Sequence, residues 1–300
     1  MHKILLLTDF SPRNRYAEMT ALNLCTQLQF DLLVMNNYDS IPLIPFANGG
    51  SDSMVSSGIY DETQEEMITK VKQIREELSK MPDSGYVPKV RSVVTEGDIG
   101  IKVSHIIPRE DIELVVMGTS RGNSFEHLLI GNVLRAVMST SSCPVLVVPE
   151  VMPQEKIDKV IFTTDFHIED VNALSYLARL GRVLRFSIEV VHVYRPSSKI
   201  EENRREFEFI KRLEDFHDID IYYTHLVGEN LVKQINSLCK QGSEYWLAMA
   251  DYQRNMLLPI FHQSTILKAT KKPLLPTLIL PKLLLPARYF LKNHQPKKGE

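Results

Sequence analysis

The chain is expected to fold as two consecutive copies of one doubly wound α/β unit. Each copy should be a five-stranded parallel sheet flanked by helices. Three observations carry this expectation. Short apolar runs alternate with helical stretches along the first 150 residues, the order of a parallel sheet whose strands need crossovers. The same segments then return in the second half. The longest strand–loop–strand signal, "VVMGTSRGNSFEHLLIGNVLRAVMSTSSCPVLVVP" at 115–149, has the glycine-rich turn that such sheets place at their ligand edge.

The elements follow in order. "KILLL" (3–7) and "DLLVM" (31–35) are short and apolar, as strands buried on both faces are. Between them Ala17, Ala21, Leu24, Cys25 and Leu28 recur at helical spacing, with Ser11 and Pro12 as the start signal. Met67, Val71, Ile74 and Leu78 form a second helical stripe within 61–81. "KVRSVVTEG" reads as a strand, Val103, Ile106 and Ile107 as a short helix, and "ELVVMG" as a strand. A helix from about Asn132 and the strand "PVLVV" close the unit. Asp9, Asn37 and Gly118 then all fall at the carboxyl edge of the sheet, where ligands of this architecture sit.

The repeat is legible in the residues. "KILLLTDFSP" at 3–12 returns as "KVIFTTDFHI" at 159–168, an offset of 156. "PVLVVPE" at 144–150 returns as "PTLILPK" at 276–282, an offset of 132. The second copy is therefore shorter in its first half, and the Pro/Gly/Ser-rich stretch 39–60 is the expected surplus of the first. Its glycines Gly49 and Gly50 suit a lid or a disordered loop. The expected division is 1–150, 151–282 and a tail 283–300, which frays or docks on a partner.

Bulk properties narrow the function. A net charge of −2 offers no basic footprint for nucleic acid. The apolar run at the amino terminus meets Asp9 and Pro12 too soon for a signal peptide or a membrane span. Cys25, Cys143 and Cys239 are scattered, as expected of a cytoplasmic protein without a disulfide framework, and Cys143 reads as core. The charged stretch 201–218, with Phe207, Ile210 and Leu213 at helical spacing, reads as a surface helix.

Together "ILLLTDFS", "TEGD", "ELVVMGT", the glycine loop and "CPVLVVP", in this order, resemble the universal stress protein family, and the likeness runs to about residue 282. The resemblance implies two tandem Rossmann-like (adenine nucleotide alpha hydrolase-like) domains in a stress-associated cytoplasmic protein. It also implies that strand 145–148 pairs antiparallel with 277–280, so that one chain mimics the family's dimer, with a further homodimer open. Some members bind ATP through a G-x2-G-x9-G-[ST] loop; others bind no nucleotide. Here Gly118 and Gly131 keep the spacing, whereas Arg121 stands at the middle glycine, Gly122 comes one place late, and Asn132 replaces the hydroxyl residue. Asn37 stands where an apolar residue usually meets the base. The expected nucleotide-contacting set is Asp9, Asn37, Met117, Gly118, Arg121, Gly122, Gly131, Asn132 and Val133. Glycines let backbone approach phosphate, and helix amides point at the anion. The alternative is that the glycines only make turns and Arg121 fills the space.

In the second copy Ala250 and Gln263 replace the two glycines, so ATP or another adenine nucleotide is expected in the first half only. Asp165 there is explained as a helix cap. His167, His192 and His262 fall on the second carboxyl edge near Asp165 and suggest zinc; three unrelated loop histidines are the alternative. No nucleophile–base set, paired carboxylates or phosphate-loop lysine stands out. A nucleotide sensor or a scaffold is therefore expected ahead of an enzyme, with slow ATP hydrolysis dependent on Asp9 as the enzymatic rival.

Overall fold

A computed structural model describes residues 1–38, 53–82, 85–119, 126–150, 156–167, 169–194, 200–227, 244–251 and 275–281. The first half runs β1 (Lys3–Leu7), a 3-10 turn (Pro12–Asn14), α1 (Arg15–Leu28), β2 (Asp31–Tyr38), α2 (Ser53–Lys80) and β3 (Val90–Glu96). It continues with α3 (Ile99–Glu110), β4 (Ile112–Gly118), α4 (Glu126–Thr140) and β5 (Val145–Val148). The second half repeats this as β6 (Lys159–Thr163), α5 (Asp170–Leu184), β7 (Ser187–Tyr194), α6 (Ile200–Leu213), β8 (Ile221–Val227), β9 (Tyr245–Asp251) and β10 (Thr277–Pro281).

The ten strands form one sheet in the order β3-β2-β1-β4-β5-β10-β9-β6-β7-β8. Each half is parallel, as expected, and the halves meet where β10 runs antiparallel to β5, with Thr277, Leu278 and Ile279 opposite Val147, Leu146 and Val145. The seam forms because both closing strands are apolar, apart from the buried Thr277. Leu146 and Leu278 are fully buried, and an open edge of that composition would seek another strand.

Two apolar layers sandwich the sheet. One carries α1, α2, α5 and α6 against Leu6, Val34, Val116, Leu146, Phe162 and Leu278, and it crosses the seam without interruption. The other carries α3 and α4 against Leu5, Met35, Val115, Val147 and Ile279. The stripe of α1 points inward as its spacing predicts, and so do Met67, Val71 and Ile74 of α2. Helix ends follow local chemistry. Gln29, Asp111 and Arg185 close α1, α3 and α5 in the left-handed conformation, each amide bonded back into its helix.

Two expectations change, and α6 settles a point that was left open. α2 starts at Ser53, inside the stretch read as loop, and has 28 residues against 14 in α6. The surplus of the first copy is thus partly helix; Gly49 and Gly50 lie outside the described residues. α4 starts at Glu126 rather than near Asn132, so Gly131 and Asn132 lie within the helix instead of opening it. On α6 the inward aromatic is Phe209, while Phe207 is largely exposed. Phe209 wins that place because it packs on Phe166, whose ring lies 5.7 Å away.

Cys25 and Cys143 are buried in these layers. Burial pushes both thiols up, Cys143 to about 12, and burial pushes the Tyr176 hydroxyl up as well. An unfolded thiol ionises near 8.5, so their contribution to stability is complete below that pH and declines as pH rises toward 12. We expect a loss of roughly 2 kcal/mol by pH 10 from Cys143 alone. Both thiols should also resist alkylation in native protein at pH 8. Urea titrations across the alkaline range and mass mapping of labelled peptides check this; rapid native labelling at either position contradicts it.

Candidate functional site

A cavity of about 520 Å³ opens beyond the carboxyl ends of β1, β2 and β4. That is the switch point, since β2 and β3 extend the sheet on one side of β1 and the chain then crosses back to place β4 and β5 on the other. Its volume is that of a small-molecule site. Leu7, Met35, Ile99, Met117 and Val133 form an apolar floor, and Asp9, Ser11, Arg13, Asn14, Asn36, Asn37 and Thr119 bring polar groups to it.

The loop after β1 is built by "TDF". Thr8 Oγ1 accepts from the Phe10 amide at 3.1 Å, and Phe10 takes φ 62°, a left-handed conformation uncommon for a bulky side chain. Asp9 is thereby turned to solvent at the mouth, its Oδ1 accepting from the amide and hydroxyl of Ser11 at 3.0 and 2.7 Å. A carboxylate held this way has acceptor capacity left for a ligand hydroxyl.

Asn37 sits at the end of β2, but its amide is committed. It donates to the Gly97 carbonyl at 2.8 Å and accepts from Thr95 Oγ1 at 2.9 Å. Gly97 has φ 98°, a conformation that excludes side chains, and Asp98 beside it caps α3 by accepting from the Ile101 amide. "TEGD" is thus a turn held by the Asn37 amide and by the cap of α3. Gly118 is needed for close approach: a Cβ there would run into Asn14 Oδ1. Asn14 is buried and donates to the Leu7 carbonyl at 3.0 Å, tying the 3-10 turn to the end of β1.

Of the predicted set, Asp9, Asn37, Met117, Gly118 and Val133 line the cavity. Asn132 is exposed on α4, and Arg121 and Gly122 lie outside the described residues. Arg13, Asn14, Asn36 and Ile99 were not foreseen in the lining. Their signal was positional: each lies in, or beside, a segment that follows or ends a strand at the ligand edge.

The trailing half keeps the frame and changes the contents. Thr164 Oγ1 again accepts from the Phe166 amide, and Phe166 takes φ 58°. His192 occupies the place of Asn36, 156 residues on. Both are buried, and each binds the carbonyl of the preceding threonine at 2.8 Å: Asn36 Nδ2 on Thr8, His192 Nδ1 on Thr164. Asp170 takes the place of Asn14. It turns back to accept from Thr164 Oγ1 at 2.7 Å and the His167 amide at 3.0 Å. Two of the histidines suggested for zinc have other neighbours here. His192 stacks on Phe166 at 4.3 Å, His167 Nδ1 faces Glu169 at 3.2 Å, and His262 lies outside the described residues. Among the described residues no metal-ligating group includes His167 or His192. No helix among them is long and apolar enough to cross a membrane.

Comparison with known proteins agrees with this frame. A sequence model of the universal stress protein family matches residues 1–149. Universal stress protein MJ0531 of Methanocaldococcus jannaschii is 27% identical over 146 residues, covering 49% of this chain and 81% of that protein. In three dimensions a universal stress protein from Archaeoglobus fulgidus superimposes with a TM-score of 0.68 at 16% identity, covering 93% of this chain and 98% of that one. A protein of unknown function from Pseudomonas aeruginosa, PA1789, gives 0.57 at 12% identity, covering 96% and 94%. The structural likenesses establish the fold over both halves, and the sequence match establishes kinship for the first. By its β1–β5 half, the chain belongs to the universal stress protein family.

Proposed function

We propose that this stress-family protein is an adenine-nucleotide sensor whose ligand enters the cavity of the leading half. The observation that carries the reading is the cavity itself, at the switch point of a parallel sheet, with an apolar floor and a ring of polar groups. The base packs on Met117, Val133 and Ile99, Asp9 accepts from ribose hydroxyls, and Arg13 supplies a cation toward the phosphates. Arg121 and Gly122, which the family pattern puts on the phosphate side, lie outside the described residues. The trailing half, whose matching positions carry Ala250 and Asp170, binds none. In this reading residues 1–150 form the sensing domain and 151–282 its partner, their β5–β10 pairing standing in for a dimer contact.

The start of α4 favours a second reading, a scaffold without nucleotide. With Gly131 inside the helix, the helix-end amides lie away from that glycine, and the phosphate cradle loses one of its walls. Mass analysis of small molecules released from freshly purified protein separates the two, together with the thermal shift on adding ATP. A sensor releases adenine nucleotide or gains several degrees; Asp9→Ala halves the gain or more, and Arg121→Gly changes it. Neither release nor shift leaves the scaffold.

A further inference from the structure

At the opposite end of the sheet a second constellation has no part in this reading. We propose that His2, Asp111 and Glu113 form a site for one divalent transition-metal ion, with zinc the best fit. Among the described residues this is the one group of three potential ligands whose donor atoms all lie within 4.8 Å of one another. His2 Nδ1 stands 3.0 Å from Asp111 Oδ2 and 3.0 Å from Glu113 Oε1. Ligands about 2.0 Å from a tetrahedral ion lie about 3.3 Å apart, so the nitrogen already has nearly the right separation from both oxygens.

The three donors stand on fixed supports. β1 pairs with β4 so that Lys3 faces Ile112, which brings His2 beside Asp111. Asp111 closes α3 at φ 59°, its amide bonded to the Ile107 carbonyl and its own carbonyl accepting from the Lys3 amide at 3.1 Å. Glu113 is the second residue of β4, and the His2 ring lies against Phe30, 5.7 Å between centroids. The His2 and Glu113 side chains are 18% and 15% exposed, while Asp111, at 39%, opens to solvent.

Charge argues in the same direction. The neighbouring cations Lys3 and Arg91 both reach Glu110, at 3.4 and 3.2 Å. Asp111 and Glu113 bring two carboxylates into partly buried space beside the imidazole, a donor set whose charge a divalent ion would offset. One imidazole with two carboxylates is a borderline donor set, suited to zinc over calcium or magnesium, and three protein ligands leave a fourth position for water. The competing occupant is a proton, which would make His2 an imidazolium bridging the two acids.

The test uses the full chain purified without a polyhistidine tag and stripped with chelator. Titration with zinc chloride at pH 7.5 should give one equivalent bound and a rise in melting temperature. Asp111→Asn and Glu113→Gln should each weaken the affinity at least tenfold. Asn is at home in the left-handed conformation, so Asp111→Asn keeps the fold, checked by an unchanged circular dichroism spectrum without metal. Cobalt substituted for zinc should give the intense visible bands of a tetrahedral site in the parent protein and lose them in both variants. The ATP-induced shift, read at the other end of the strands, should not change. Absence of stoichiometric zinc, or stoichiometric zinc that both variants still hold at full affinity, overturns the proposal in favour of the proton or of another site.

Discussion

Ending the chain at residue 275 removes β10 and should leave insoluble protein. Leu278, Ile279 and Leu280 are at most 2% exposed, and their burial stabilises the fold by roughly 5–9 kcal/mol at ordinary values per side chain. That matches the whole net stability of a typical domain. The truncation also bares β5 and β9 along their lengths, since β10 lies between them. Paired apolar edges then become templates for association. Leu278→Asp, opposite Leu146 in the seam, should act the same way without shortening the chain. Soluble expression, gel filtration and urea denaturation read the result. A monodisperse, cooperatively unfolding truncated chain would show that the halves do not need the seam.

The second large effect is expected at Gly118. Gly118→Ala places a methyl group against Asn14, and overpacking of this kind costs about 1–3 kcal/mol. Displacing Asn14 also loosens its bond to the Leu7 carbonyl, at the mouth of the cavity, so any ATP-induced shift should disappear with it. The trailing half suggests the remedy. There Ala250 and Asp170 occupy the matching positions, and Asp170 points back to Thr164. Thr8 offers the same hydroxyl in the leading half, so Asn14→Asp should restore most of the stability lost by Gly118→Ala. A double-mutant cycle measures the coupling. Simple additivity would mean that the two positions do not compete for space.

How much of this was legible beforehand depends on the length scale of the physics. Strand positions and the stripe of α1 follow from apolar runs and from the repeat, because burial acts on every residue of those segments, while the antiparallel seam was implied by the family resemblance. The repeat was also informative about chemistry. "TDF" recurs because the same threonine–amide bond and left-handed phenylalanine are built twice. Helix starts were less legible. α2 and α4 begin earlier than their stripes suggest, since a helix extends past its apolar face wherever nothing stops it. Phe207 and Phe209 share one helix, and only the position of Phe166 decides which turns inward.

Residue types alone left Asn37 as a candidate nucleotide contact and His192 as either a zinc candidate or an ordinary loop histidine. Tertiary structure gives Asn37 to the Gly97 turn and His192 to the Thr164 carbonyl, because a buried polar group takes the partner within reach. The same rule brings His2, Asp111 and Glu113 together across more than a hundred residues, by a strand register no local pattern encodes. The sequence by itself determined the family, the doubled architecture and the sheet edge where the cavity opens, since these rest on periodicity and on motifs repeated in order. Only the folded chain decided which polar side chains are committed to backbone and which converge, because that choice depends on distances of about 3 Å between segments remote in sequence.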